Sequence, residues 1–82
     1  MIRAKIYSMI DAERARQAEK WNKPHTWGFG DCSSRDLPAI VKAAVLTEEC
    51  GEVSRAVLDG QGLKNELIQV AAVAVAWLES ME

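Results

Sequence analysis

The stretch NELIQVAAVAVAWLE, residues 65–79, decides the fold. Between Leu67 and Leu78 every side chain is apolar except Gln69. A helix apolar on almost every side has to be buried on almost every side. The link before it, DGQG at residues 59–62, places Gly60 at the left-handed position that ends helices. The third helix, from about Leu63 to Met81, should therefore fold back antiparallel on the second. One hairpin partner cannot cover such a surface. The pattern predicts an all-α chain, an antiparallel helical hairpin plus an N-terminal helix, assembling into a homodimer or homotetramer with a four-helix-bundle-type core. Gln69 stands out against this background, because an unpartnered buried amide costs roughly 1–3 kcal/mol. Either Gln69 has a hydrogen-bond partner, for instance across a dimer, or it faces a site where something polar binds.

Working outward, the second helix is expected to begin near Asp36 to Pro38, with proline in its first turn. It should run to about Asp59, with Leu46, Cys50, Val53 and Val57 as its apolar stripe. The first helix spans about Ile2 to Trp21, with Ile2, Ile6, Met9 and Ile10 at helical spacing. The same face continues into Glu13, Gln17 and Lys20, so it either overhangs into solvent or lines a polar cavity. Between these helices, NKPHTWGFGDCSSRD at residues 22–36 reads as a loop, long enough to serve as a binding loop or lid.

The chain has 82 residues, which fits one domain, and 49% of them are apolar, a high share for so small a monomer. Ten basic and 12 acidic residues give a net charge of −2, which argues against a partner as anionic as a nucleic-acid polymer. Cys32 and Cys50 have no zinc-type spacing and read as free thiols of a reducing cytoplasm. The N-terminus lacks the long apolar run of a signal peptide, and the last helix is too short in apolar residues to span a bilayer.

The acidic residues carry the chemistry. In TEECGE, residues 47–52, Glu49 and Glu52 are three apart and share one helix face at the edge of the apolar stripe. Glu48 projects further outward. On the third helix Glu66 and Gln69 are also three apart. Folding the hairpin brings these pairs to similar heights from the turn. Carboxylates converging in a partly apolar seam need a counter-charge, and Mg²⁺ or Mn²⁺ suits oxygen ligands. A solvated acidic surface fits the same spacing. Trp21, His25 and Trp27 could stack on or hydrogen-bond a base, or the tryptophans could cap the small core.

LTEECGEVSRAV (residues 46–57) followed by LKNELIQVAAVAVAWLE (residues 63–79) resembles the MazG-like, all-α nucleoside triphosphate pyrophosphatases, whose pattern is E-x-x-E after a leading Glu on one helix and E-x-x-D on the next. ERARQAEKW (residues 13–21), with His25 soon after, is similar to the small phage and mobile-element members. The resemblance implies hydrolysis of a nucleoside triphosphate to monophosphate and pyrophosphate with Mg²⁺ or Mn²⁺. It places Glu49, Glu52 and Glu66 as metal ligands and Gln69 at a position the family fills with Asp. Within that scheme Glu48 is the candidate for orienting or deprotonating water. Arg16 and Lys20 are candidates for phosphate contact, and Trp21, His25 and Trp27 for the base. The rival reading, suggested by Gln69, is a non-catalytic helical dimer that binds a partner on a degenerate pyrophosphatase scaffold.

Overall fold

The computed structural model describes residues 1–82. Helix α1 spans Ile2–Lys20, α2 spans Ala39–Asp59 and α3 spans Leu63–Glu79. Local chemistry sets the helix ends. Pro38 has φ −61° and ψ 147°, extended backbone that starts α2, and its missing N–H costs nothing there. Gly60 ends α2 at φ +72°, and Gly62 begins α3 at φ +80°, so two left-handed residues turn the chain back on itself. The all-α expectation holds, with one small addition. Strands β1 (Pro24–His25) and β2 (Gly28–Phe29) pair antiparallel inside the long loop.

Helix α3 is the centre of the molecule. It packs against both α1 and α2, and those two do not pack against each other. Ala72 and Ala76 on α3 have no exposed surface, because these small side chains let neighbouring elements approach closely. Cys32 of the loop, Val73 and Ala76 form the core cluster, with Val45 and Leu46 of α2 against it. The molecule is only 19 Å across its shortest axis, about two helix diameters. No large side chain is completely buried in so thin a body.

The surface is correspondingly greasy. Leu67, Val75 and Leu78 on α3 stay exposed, as do Ile2, Ile6 and Tyr7 on α1. Ile6, Met9, Ile10, Leu63, Leu67, Ile68 and Ala71 line an open groove of about 550 Å³ between α1 and α3. No helix is long and apolar enough to cross a membrane.

Candidate functional site

The separation of α1 from α2 leaves a cavity of about 340 Å³, with Gln69 and Val73 of α3 at its base. Helix α1 contributes Arg16, Gln17 and Lys20, followed by Trp21. The loop contributes His25, Trp27, Gly30, Asp31 and Cys32, and α2 contributes Val41, Val45, Glu48 and Glu49. On the polar half of the α1 face, Gln17 and Lys20 thus line a cavity, with Lys20 also exposed to solvent. Of the candidate catalytic, metal and substrate residues read from the sequence, all but Glu52 and Glu66 line this one space.

Gln69 is half-buried, makes no hydrogen bond within the chain, and opens onto the cavity. The amide inside the apolar helix therefore faces a space that a polar group can enter. Glu49 lines the same cavity. One of its carboxylate oxygens, Oε2, is buried and has no hydrogen-bond partner, and the same is true of Glu66 Oε2. Burial pushes the Glu49 carboxyl above the ordinary carboxylate range, and the charges of Glu66, Glu52, Glu48 and Glu13 push it the same way.

Glu52 departs from the expectation that it points inward, since it is exposed. Half-buried Val53 and buried Ala56 mark the inner side of α2, with Glu49 one turn before Val53. Glu52 lies beside that line, and its charge still reaches Glu49. No group of three or more His, Cys, Asp or Glu side chains gathers in metal-holding geometry within the chain. Glu49 and Glu66 each keep one buried oxygen without a partner, the Glu66 charge reaches Glu49, and Gln69 lies one helical turn beyond Glu66. Oxygen donors of this kind, desolvated and without hydrogen-bond partners, fit a hard divalent cation.

The cationic side is ordered. Arg16 Nε and Nη2 donate to the two oxygens of Glu13 at 2.8 and 2.6 Å, which leaves Nη1 free. The same hydrogen bonds hold the Glu13 carboxyl below its usual range. Gln17 is committed on both sides, donating to Glu13 and accepting from Arg14. Lys20 Nζ lies 5.3 Å from the Trp21 ring centre, within cation–π range.

The loop is more firmly built than a simple lid. Arg14, buried beneath it, donates from Nη1 to Asp31 Oδ2 at 2.7 Å. Its Nε and Nη2 donate to both oxygens of Glu79 at 3.0 Å. One guanidinium thus ties α1, the loop and the end of α3 together. Burial alone would raise the Asp31 carboxyl, but hydrogen bonds from Ser33 and Arg14 outweigh it and hold Asp31 below its ordinary value. Arg14 is held well above its ordinary value, chiefly by Glu79 and Asp31. Its partners lie 17 and 65 positions away, so no local pattern announces this knot.

His25 is also committed. Its Nε2 lies 2.8 Å from the Gly30 carbonyl oxygen, and its Nδ1 lies 3.3 Å from the Trp27 backbone N–H. Hydrogen bonding from this imidazole to a base, one of the two roles expected from the sequence, has no free ring nitrogen to use. Only the ring's faces and edges remain, and its centroid lies 5.6 Å from that of Trp21 and 6.2 Å from that of Trp27.

Compared with known proteins, the chain matches no family model, no curated protein and no solved structure.

Proposed function

We propose that the chain is a Mg²⁺- or Mn²⁺-dependent nucleoside triphosphate pyrophosphohydrolase, MazG-like in kind, working as a homo-oligomer. The observation that carries this reading is two buried carboxylate oxygens without partners: Glu49 Oε2, on a residue that lines a cavity with cations and aromatic rings, and Glu66 Oε2, on a residue whose charge reaches Glu49. A triphosphate is strongly anionic, so an acidic site can hold it only with cations between. Glu49 and Glu66 would hold such a cation, the Gln69 carbonyl would add an uncharged donor, and exposed Glu52 would join from outside. When bound, the cation supplies neutralisation of phosphate charge and activation of water. Arg16 Nη1 and the Lys20 ammonium would contact phosphate oxygens. Glu48, exposed at the cavity, would orient water and take its proton. Water adds at the α-phosphorus, the α–β anhydride bond breaks, and pyrophosphate leaves. Trp21 and Trp27 offer faces for the base, which any base can use. Nucleotide hydrolysis of this kind belongs to the cytoplasm, where the unpaired Cys32 and Cys50 would remain reduced.

Gln69 gives the first test. Gln69→Asp adds a negative ligand, so metal affinity should rise by about tenfold for a contribution near 1.4 kcal/mol. In chelator the variant should melt below wild type, because a further carboxylate joins Glu49 and Glu66. Added Mn²⁺ should restore the melt through binding linkage. Thermal melts across a metal titration read both effects, and a loss that metal does not reverse would remove Gln69 from the ligand set.

The assembly gives the second. A monomer of 9.1 kDa is expected to expose about 4,900 Å². This chain exposes 5839 Å². The excess is about what one partner covers in a standard interface, roughly 800 Å². The α1–α3 groove and exposed Leu67 are the natural contact. Light scattering should show at least a dimer at micromolar concentration, and Leu67→Arg should shift it toward monomer. A stable wild-type monomer would end this part of the proposal.

A second reading has its own observation. Gln69 brings no charge where the resemblance has Asp, and no three-carboxylate group forms within the chain. These favour a non-catalytic, partner-binding helical dimer. Calorimetry with Mn²⁺ alone separates the two, since the second reading gives no saturable binding.

A further inference from the structure

Within the loop that carries Trp27, one imidazole bridges the backbone on both sides of the turn. A carbonyl oxygen can only accept a hydrogen bond and a backbone N–H can only donate one. The Gly30 carbonyl, 2.8 Å from Nε2, therefore requires a proton on Nε2. The Trp27 N–H, 3.3 Å from Nδ1, requires a bare Nδ1. Neutral His25 in one tautomer meets both demands. The backbone around it is shaped for this. Gly30 lies at φ +87°, where a side chain would be strained and a Cβ would come 3.1 Å from Ser34 Cβ. The Gly30 N–H in turn donates to the Lys23 carbonyl at 3.3 Å.

We infer that His25 is a proton-sensitive latch: a positioning residue that holds Trp27 at the cavity while neutral and releases it when protonated. Protonation puts a hydrogen on Nδ1, facing the Trp27 N–H, so an attractive contact becomes a repulsive one. The Gly30 bond survives, since Nε2 still donates. The change is thus confined to the turn between β1 and β2, where Trp27 is 61% exposed. Arg16, Lys20 and Asp31 line the same cavity, with Glu48 and Glu49 from α2, and Lys23 Nζ lies 5.7 Å from the Trp21 ring centre.

The latch stands on the hydrogen bonds alone. Its effect on ligand binding rests on the nucleotide reading above, with Trp27 as a stacking face. Both are tested on the full chain by ¹⁵N NMR across a pH titration without ligand, with binding of a non-hydrolysable α,β-methylene triphosphate and Mg²⁺ followed in parallel. The ring nitrogens should report the Nε2–H tautomer at high pH. As His25 takes up its proton, exchange of the Trp27 amide, corrected for its intrinsic pH dependence, should accelerate about fivefold or more, as for one lost hydrogen bond. His25→Phe should show the fast exchange at every pH. His25→Gln, which keeps a donor and an acceptor, should keep the slow exchange at low pH. Triphosphate affinity should fall about fivefold along the wild-type titration relative to His25→Gln. An Nδ1–H tautomer, or Trp27 exchange indifferent to His25 protonation, would overturn the latch. Absence of triphosphate binding at any pH would overturn the nucleotide reading and leave the latch to be decided by the ring and amide signals.

Discussion

Arg14→Ala should remove a large share of the fold's stability. Arg14 and Asp31 both have side chains less than a tenth exposed, so the substitution strands a buried carboxylate. Breaking a buried pair by removing one partner costs about 3–5 kcal/mol. A domain of this size has a total stability on the order of 4–12 kcal/mol. The Glu79 contact adds less, since that side chain is 48% exposed and solvent screens it. The loss should depend on pH with a definite sign. Asp31 is held below its ordinary value in the fold, so its stabilising contribution is present above the unfolded carboxylate pKa. That contribution disappears as pH falls through the lower folded value. The difference between wild type and Arg14→Ala in urea melts should therefore shrink toward acid pH. Glu49 acts in the opposite sense. Its folded pKa is raised, so without metal its ionisation lowers stability as pH rises from the unfolded value through the folded one. An Arg14→Ala protein as stable as wild type would show that the loop is anchored elsewhere.

Glu49→Gln and Glu66→Gln should each lower pyrophosphate release by at least about a hundredfold, equivalent to roughly 2.7 kcal/mol of lost transition-state stabilisation. Both amides remove charge while preserving shape, so the fold should survive. In chelator both variants should melt slightly above wild type, because each removes one of two mutually repelling carboxylates with an unpartnered oxygen. Loss of activity with gain of metal-free stability is a signature that a purely structural acid would not give. Glu52→Gln should cost less, since Glu52 is exposed. Mn²⁺ calorimetry on the same variants checks the order, with affinity lost most in the Glu49 and Glu66 proteins.

The helical frame was legible because its signals are local. Pro38 and Gly60 mark the two ends of α2, and the apolar run from Leu67 to Leu78 marks α3. The drift of the α1 stripe into Gln17 and Lys20 left a polar cavity as one of two readings, because a helix face stays continuous in space even when its chemistry changes. Glu52 was misplaced because one residue of helical rotation separates the inner side of α2 from solvent. The strands escaped notice because two residues show no alternation. Arg14, Asp31 and Glu79 were invisible as a group, since long-range ion pairing leaves no spacing to read. The His25 latch was hidden for the related reason that its partners are backbone atoms, which every residue has.

The most direct measurement is pyrophosphate release by the wild-type protein over a panel of canonical and modified nucleoside and deoxynucleoside triphosphates, with Mg²⁺, with Mn²⁺ and with chelator. The expected result is stoichiometric monophosphate and pyrophosphate from at least one nucleotide, dependent on the metal and absent in Glu49→Gln. Saturating metal with no pyrophosphate from any nucleotide, or release that persists undiminished in Glu49→Gln, would contradict the proposed site.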